Sequence, residues 1–294
     1  MIKFAKIFCI NLLCLFLIGI LYYIIDVSIY DNGVLKIYSP DTTCYDNDRL
    51  ESKLPFDKSK KPVVFVGCSF VYGFFIDEKD TLSYKIQQKT GRKTYNRGYI
   101  ATGIQHVLYN LKYSDFYKKH SDLNPEYFVY VFIPDHIRRM YINYFSYSSN
   151  DKFFKYEQKG DDVEPMDLKI RFSDYVKKTH IAKSLNYNDF AKKSNDETFD
   201  FLKLHLKKFE KEVHEKYPNS KIAIIIYNDK IDNHGQKIFS TNRWNELEKM
   251  GFVVLNFNDY DLDFLNGEEY RANKHPNGKA WDSVVPIIIS KLKL

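Results

Sequence analysis

The sequence predicts an α/β fold in which helices cover both faces of a mostly parallel sheet, a three-layer α/β/α sandwich. Short runs of β-branched and aromatic residues recur between turn residues, most clearly at 63–66 and 127–133. Such runs are typical of strands that are buried on both faces. Amphipathic segments, of which 198–216 is the clearest, lie between the runs. Strands that alternate with helices along the chain indicate this layered architecture.

The elements follow one another in a simple order. The predicted strands are 63–66, 93–98, 127–133, 222–227 and 252–257. The predicted helices are 70–89, 105–119, 198–216, 244–250 and 279–294. We expect Pro286 to kink or interrupt the last helix, because proline removes an amide donor and its ring collides with the preceding turn.

An apolar segment precedes the predicted domain. Residues 7–25 are apolar except for Asn11, close to the ~20 residues that cross a bilayer. Lys3 and Lys6 precede the segment, which indicates that the N-terminus stays in the cytoplasm. A cleaved signal peptide would have small residues before its cleavage site, and residues 18–21 match this pattern poorly. We therefore interpret 1–26 as an uncleaved signal anchor, with a cleaved signal peptide as the alternative.

Three further regions complete the organisation. Residues 27–60 are polar and irregular, and we interpret them as a linker and cap between the membrane and the domain. The domain itself is assigned to 61–294. Within it, residues 141–195 show no strong periodicity and are longer than an ordinary connection. We interpret them as an insertion with short helices that covers the functional site.

Composition excludes several classes of function. The formal net charge is +6, but the lysines are scattered and form no basic run, so no nucleic-acid partner is expected. The four cysteines, at positions 9, 14, 44 and 68, contain no Cys-x-x-Cys pair. No metal and no cofactor are therefore expected. Pairing of Cys44 with Cys68 in an oxidising compartment stays open.

The stretch 61–73 carries the first candidate functional residue. A buried strand ends at Gly67-Cys68-Ser69, so that Ser69 lies at the carboxyl edge of the sheet, where open α/β sheets keep their ligand sites. The two glycines fit neither a P-loop nor a dinucleotide-binding fingerprint, because the required Lys-Ser/Thr pair and third glycine are missing. Ser69 is either a nucleophile or a helix cap.

A nucleophilic serine needs a base, and His275 is the best candidate. It lies in a loop between the last strand and the last helix, which returns to the same edge of the sheet as Ser69. An exposed loop histidine without a catalytic role is the alternative. His136 also follows a buried strand at this edge, whereas the other six histidines lie in helical or polar contexts.

Together, three motifs resemble those of the SGNH (GDSL-like) hydrolase superfamily. They are Gly67-x-Ser69 after a strand, Asn96-x-Gly98 about thirty residues later, and His275-Pro276-Asn277 near the end of the chain. The resemblance covers most of 63–294. It implies a flavodoxin-like fold and serine esterase, lipase or carbohydrate O-acetyl transfer activity. It also implies that Ser69 is the nucleophile, His275 the general base, and the amides of Ser69 and Gly98 the oxyanion donors.

The chain departs from that pattern at two positions that bear on activity. Where the family has Gly-x-Asn-Asp, this chain has 133–136, which ends in Asp135-His136 and contains no asparagine. A carboxylate would repel an oxyanion, so we expect Asp135 to point elsewhere and His136 to supply the missing donor. Where the family has an aspartate three residues before the histidine, this chain has Ala272. A Ser–His dyad then suffices, or Glu268 or Glu269 orients the imidazole.

These expectations define the leading hypothesis and its alternatives. The leading one is a single-pass, membrane-tethered serine esterase or acyltransferase whose domain lies outside the cytoplasm, at the periplasm or cell surface. Its substrate would be an ester, such as an O-acyl group on a cell-envelope glycan. The first alternative is a catalytically inactive domain that binds polysaccharide or a membrane partner. The second is an α/β module that faces the cytoplasm.

Overall fold

The computed structural model describes residues 52–100, 102–141, 156–165, 193–227, 241–262 and 267–294, together with residues 17, 19 and 239. The chain divides into two compact units, Met1–Thr42 with Phe145–Asp151 and Thr43–Tyr144 with Lys152–Leu294. The strands and helices given below all belong to the second unit.

The strands and helices alternate through most of the chain. The strands are β1 (Val63–Gly67), β2 (Thr94–Gly98), β3 (Tyr127–Phe132), β4 (Tyr156–Lys159), β5 (Asp162–Pro165), β6 (Lys221–Ile226), β7 (Val253–Asn256), β8 (Arg271–Ala272) and β9 (His275–Pro276). The helices are α1 (Ser69–Tyr72), α2 (Leu82–Thr90), α3 (Ile104–Tyr113), α4 (Asp115–Lys119), α5 (Asp135–Tyr141), α6 (Asn195–Lys216), α7 (Thr241–Lys249) and α8 (Gly278–Leu292). Short 3₁₀ turns occur at Glu78–Asp80, Phe257–Asp259 and Glu268–Tyr270.

The central sheet has five strands in the order β2-β1-β3-β6-β7, and all neighbouring pairs are parallel. The predicted α/β class with a mostly parallel sheet is therefore confirmed. Because the strands are parallel, their carboxyl ends share one edge. In the register of β1, Gly67 lies opposite both Gly98 and Val131. This edge carries the turns that follow β1 and β2.

Each face of the sheet is covered by a different set of helices. In β1, Val64 and Val66 pack into a core with residues of α3 to α7. The alternate residues Val63 and Phe65 pack into a second core with residues of α1, α2 and α8. This alternation is the period-two geometry of a strand, and it produces three layers. We refer to the helical layer that contains α1, α2 and α8 as the α8 face.

Three predicted helices differ from the structure in whether they are continuous. The segment 69–90 is not one helix, because Gly73 and Phe75 both adopt positive φ, 80° and 68°, and separate α1 from α2. The segment 104–119 breaks at Ser114, whose backbone is extended. The last helix, by contrast, is assigned without interruption across Pro286. Pro286 is exposed, so water can hydrate the carbonyl group that proline leaves without an amide donor.

The structure also describes parts of the predicted insertion and of the predicted anchor. Within the predicted insertion, residues 156–165 form a hairpin, β4–β5, and not a helix. An ion pair between Asp162 and Lys208 ties this hairpin to α6. Within the described parts of the chain, no helix is both long and apolar enough to cross a bilayer. The predicted anchor, 7–25, lies outside the described residues except for Leu17 and Gly19, which are helical.

Candidate active site

The Ser69 side chain is held at the carboxyl edge of β1 by a tightly packed turn. Gly67 ends the strand with φ 151°, and a Cβ atom there would lie 2.9 Å from Val71 Cγ2 and 3.0 Å from Val131 O. Only glycine tolerates both the backbone angle and these contacts. Cys68 is extended, and the helical turn α1 begins at Ser69, which is 5% exposed. Ser69 is therefore largely shielded from solvent at this edge of the sheet.

Strand β2 presses against this turn from one side. A Cβ atom on Gly98 would lie 2.6 Å from Val71 Cβ and 2.7 Å from the Val71 carbonyl carbon, so no larger residue fits. The buried side chain of Asn96 completes the contact, since its Nδ2 donates to Val71 O at 2.9 Å. The backbone of α1 is thus fixed relative to the sheet by both residues of the Asn96-x-Gly98 motif.

His275 is presented by a short hairpin. Strands β8 and β9 pair Ala272 with His275, and the two residues between them, Asn273 and Lys274, have φ of 46° and 66°. Positive φ at both positions is the pattern of a type I′ turn, in which asparagine is favoured. Asn277 then caps α8, because its Oδ1 accepts from Ala280 N–H at 3.2 Å. The turn and the cap together fix the direction in which His275 leaves the backbone.

Helix α8 is in turn fixed to the layer that carries Ser69. Lys85 of α2 is nearly buried, and its ammonium group lies 2.9 Å from an oxygen of Asp282 and 3.3 Å from an oxygen of Asp80. This bridge joins the start of α8 to the elements that follow Ser69. Asp80 also packs closely against the backbone at Gly278. The ion pairs therefore couple the position of the hairpin to that of the serine.

The two predicted side chains meet. His275 Nε2 lies 2.8 Å from Ser69 Oγ, although the residues are 206 positions apart in the sequence. His275 Nδ1 lies 2.9 Å from the carbonyl oxygen of Asn273. A carbonyl oxygen only accepts, so Nδ1 carries the proton and the neutral ring presents the Nε2 lone pair to the serine hydroxyl group. This is the tautomer that can take a proton from Ser69.

Aromatic rings surround the imidazole. The ring centroids of Phe70, Phe74 and Phe75 lie 5.2, 5.7 and 5.5 Å from that of His275. Phe70 is buried and also contacts Tyr227 edge-on. Phe75 is half exposed. These contacts limit rotation of the imidazole and keep part of it out of water.

The two predicted oxyanion donors differ in availability. Within α1 the helical hydrogen bonds begin with Val71 N–H, which donates to Cys68 O, so the Ser69 amide precedes them and has no partner in the helix. The Gly98 amide instead donates to Asn96 Oδ1 at 3.0 Å. To act on a substrate, the Gly98 amide would have to exchange this acceptor for the substrate oxygen.

The residues that follow β3 do not join Ser69 and His275. Asp135 pairs with Arg139 at 2.6 Å, and Arg139 also donates to Thr102 O, so the carboxylate is neutralised within the protein. His136 is fully buried in the layer opposite the α8 face, where its Nδ1 lies 2.6 Å from the Tyr130 hydroxyl group. Contrary to expectation, His136 therefore does not face Ser69 as an additional donor.

Cys68, the neighbour of Ser69, is a packing residue in this arrangement. Its side chain is fully buried and forms no disulfide bond. Burial raises the pKa of the thiol. A neutral buried thiol is a poor nucleophile, so the Ser69 hydroxyl group is the better candidate nucleophile at this edge.

Two features of the site were absent from the sequence interpretation. The partner of His275 Nδ1 is a main-chain carbonyl group, whereas we expected either no third member or Glu268 or Glu269, which lie in the preceding 3₁₀ turn. Asparagine followed by lysine between Ala272 and His275 is a signal for the turn that places this carbonyl. The aromatic pair Phe74-Phe75 was visible in the sequence, but only the fold brings it to the imidazole.

Comparison with known proteins gives distant structural similarities only. No family model matches the sequence, and no curated protein matches it. A carbohydrate esterase family 2 enzyme with a carbohydrate-binding domain from Corynascus thermopiles (Myceliophthora fergusii) is 13% identical, with 83% of this chain and 69% of that chain covered and a TM-score of 0.44. A protein assigned to the lipolytic G-D-S-L family from Desulfitobacterium hafniense is 11% identical, with coverages of 79% and 99% and a TM-score of 0.46.

A third similar structure, TesA, is 10% identical, with coverages of 79% and 98% and a TM-score of 0.45. At such identities and scores, these similarities assign neither a family nor an activity to the chain. The residues of the site itself carry the chemical interpretation.

Proposed function

We propose that this protein is a serine esterase of the SGNH type, in which Ser69 is the nucleophile and His275 the general base. The observation that carries the proposal is the 2.8 Å contact between Ser69 Oγ and His275 Nε2. The 2.9 Å contact of Nδ1 with Asn273 O adds support, because it selects the tautomer that accepts a proton at Nε2.

The reaction runs through an acyl-enzyme. Ser69 Oγ attacks the ester carbonyl carbon while its proton passes to His275 Nε2. When the tetrahedral intermediate collapses, the bond to the alcohol oxygen breaks and Nε2 gives the proton to that oxygen. Water then attacks the acyl carbon while Nε2 takes a proton from the water. The bond between that carbon and Ser69 Oγ breaks, Nε2 returns the proton to Oγ, and the carboxylic acid leaves. An alcohol in place of water makes the second step an acyl transfer.

Stabilisation of the oxyanion is the demanding part of this mechanism. The Ser69 amide is the first donor, and the Gly98 amide is the second once it leaves Asn96 Oδ1. The loss of one donor typically costs about 10²–10³ in kcat. We therefore propose that substrate binding breaks the bond between Gly98 and Asn96, and that a single-donor site would be slow.

The proposed location rests on the apolar segment of the sequence, and the proposed glycan substrate rests on that segment and on the resemblance to the SGNH hydrolase motifs. We propose that residues 7–25 anchor the chain in a membrane and that the domain lies outside the cytoplasm, where it acts on O-acyl groups of a cell-envelope glycan. The support is the apolar segment with Lys3 and Lys6 before it. In sealed vesicles of inverted and native orientation, protease should reach the domain only from the extracytoplasmic side. Cleavage only from the cytoplasmic side would contradict this location.

A fluorophosphonate probe tests the chemistry directly. We expect the full-length protein to be labelled at Ser69, and labelling to disappear in Ser69→Ala and in His275→Ala. Ser59→Ala, which changes an exposed serine outside the site, is the matched control and should be labelled normally. Failure of the folded wild-type protein to be labelled, or equal labelling of Ser69→Ala, would show that the proposed enzyme does not exist.

The occupied Gly98 amide favours a second candidate, a domain that binds a polysaccharide or a membrane partner without turnover. In that case the bond between Gly98 and Asn96 would persist in the bound state, and no oxyanion would form. Binding of an acetylated oligosaccharide would be unaffected by Ser69→Ala, and aryl esters would not be hydrolysed. Probe labelling at Ser69 would exclude this candidate.

A further inference from the structure

Phe75 combines two unusual properties. Its φ is 68°, in the left-handed region that bulky residues rarely adopt, and its side chain is 50% exposed. A bulky side chain at positive φ is strained, and such strain persists at functional sites where the surrounding structure enforces it. Exposure of a large aromatic ring gains nothing for folding. The chain therefore holds an apolar ring in water at the expense of its backbone conformation.

The Phe75 ring lies at the candidate active site. Its centroid is 5.5 Å from that of His275 and 4.0 Å from that of Phe74. Among the three phenylalanines that surround the imidazole, Phe70 is buried and Phe74 is partly buried, whereas Phe75 is exposed. Phe75 is thus the ring of this group that an arriving substrate meets first.

The proton path fixes which half of an ester comes near Phe75. In the proposed reaction, His275 Nε2 gives its proton to the oxygen of the departing alcohol, so this oxygen must come within hydrogen-bond distance of Nε2. The carbons attached to that oxygen would then come close to the rings that pack on the imidazole. The acyl group, by contrast, extends from the carbon bonded to Ser69 Oγ. In the proposed reaction, Phe75 would therefore be nearer to the alcohol half than to the acyl half.

We propose that Phe75 forms a subsite for the alcohol half of the ester, and that this alcohol is a six-membered sugar ring whose flat C–H face packs on the aromatic face. The inference rests on the proposed esterase and adds to it the residue that selects the alcohol. A flat ring can bury its C–H face against an aromatic face while its equatorial hydroxyl groups stay hydrated. An open-chain alcohol offers no such face.

The test compares acetate esters that differ only in the alcohol: an O-acetylated methyl pyranoside, glyceryl triacetate and 4-nitrophenyl acetate. In Phe75→Leu, which keeps an apolar side chain but loses the flat face, we expect kcat/KM for the pyranoside to fall about five- to tenfold relative to that for glyceryl triacetate. Phe75→Tyr should keep the wild-type ratio. Phe56→Leu, at a similarly exposed phenylalanine beside Lys93, is the matched control and should not change it.

Phe75→Gly separates the ring from the backbone strain. It should be at least as stable as wild type in thermal unfolding, because glycine accepts positive φ, yet it should lose the pyranoside preference as Phe75→Leu does. An unchanged ratio in both variants would overturn the proposal. A loss confined to 4-nitrophenyl acetate would also overturn it, because the subsite would then recognise an aromatic alcohol.

Binding keeps this inference separate from the proposed function. In a Ser69→Ala background, which cannot turn over, calorimetry with the acetylated pyranoside should give a Kd about five- to tenfold higher when Phe75→Leu is added. If wild-type protein hydrolyses none of the esters but this difference in Kd remains, the esterase proposal fails and the subsite stands. Equal Kd values would remove the subsite even if the enzyme is active.

Discussion

The two halves of the candidate site are held in place by different means. The turn that bears Ser69 is buried, and its shape is fixed by backbone contacts that leave no room for a Cβ atom at Gly98. The hairpin that bears His275 is half exposed and rests on aromatic rings, a left-handed turn and a bridge from Lys85. Steric exclusion therefore fixes the Ser69 turn, whereas aromatic contacts and ion pairs hold the His275 hairpin.

The difference indicates which half should tolerate change. Close-packed interiors respond to a single added carbon, because neighbouring atoms cannot move away. Exposed hairpins and partly solvated ion pairs lose only part of their stabilisation when one contact is removed. Substitutions in the Ser69 turn should therefore act on the whole domain, whereas substitutions in the hairpin should act on the reaction first.

The largest effect should come from Gly98→Ala. The new methyl group would collide with Val71, so we expect a loss of about 3 kcal/mol in the free energy of unfolding and no probe labelling. Urea denaturation measures the first and the fluorophosphonate probe the second. The control is Gly160→Ala, where φ is 62° but a Cβ atom would meet nothing within 4 Å, and the loss should be about 1 kcal/mol. Similar losses in both variants would refute the steric interpretation.

The hairpin is next. Asn273→Val places a β-branched residue at φ 46° and should shift the carbonyl group that holds His275 Nδ1, lowering the rate of probe labelling about 100-fold. The free energy of unfolding should fall by only about 1–2 kcal/mol, the cost of a β-branched side chain at positive φ, so the domain stays folded. Asn273→Gly retains both the backbone angle and the carbonyl group and should react at close to the wild-type rate. Equal rates for the valine and glycine variants would mean that this carbonyl group does not orient the base.

Acid should destabilise the layer that contains the buried histidines. Burial lowers the pKa of His106 and of His205 to about 4, and it lowers that of His136 as well. In the unfolded chain, these histidines take up protons near pH 6.5, whereas in the folded chain His106 and His205 take them up only near pH 4. The stabilisation is therefore complete above pH 6.5 and is lost as the pH falls toward 4.

At pH 5, each ring with a pKa of about 4 should have cost about 2 kcal/mol relative to pH 8. His205→Gln tests this, since it removes one such ring from α6. Urea denaturation at several pH values measures the free energy of unfolding. Between pH 8 and pH 5, this free energy should fall by about 2 kcal/mol less in His205→Gln than in the wild type. A curve parallel to that of wild type would mean that His205 is not held neutral by the fold.

The smallest effect should come from the bridge between the two halves. Lys85→Met keeps the apolar stem but removes the charge that faces Asp80 and Asp282, and both carboxylates remain accessible to water. We expect a loss of about 1 kcal/mol and a modest decrease in the rate of labelling. Lys79→Met, which breaks an exposed ion pair with Asp77, is the control and should change neither. Identical results for the two variants would show that the bridge does not couple the halves.

The sequence was sufficient for the sheet and for the two residues that meet at its edge. Buried runs such as 127–132 are strongly apolar, and parallel strands necessarily share a carboxyl edge, so Ser69 and His275 were expected on the same side. The position of His136, by contrast, could not be predicted from the sequence. It depends on the face toward which the chain turns after β3, and both faces of that strand are apolar.

Other details were hidden for different physical reasons. The group that orients His275 is a main-chain carbonyl, which every residue possesses, so no residue type marks it. The Gly98 amide is taken by Asn96 two residues earlier, a local contact that competes with the role inferred from the motif. The break after α1 depends on positive φ at Phe75, a conformation that a phenylalanine does not signal.

The long separation between the two reactive side chains has a consequence for biosynthesis. Ser69 leaves the ribosome well before its partner, because His275 is made 206 residues later and the helix that follows it later still. Because domains fold as their residues emerge, the serine turn can be complete while its base is still missing. A nascent chain that stops before His275 would carry a hydroxyl group without its base, so the proposed hydrolytic capacity would appear only after residues 275–292 have been made.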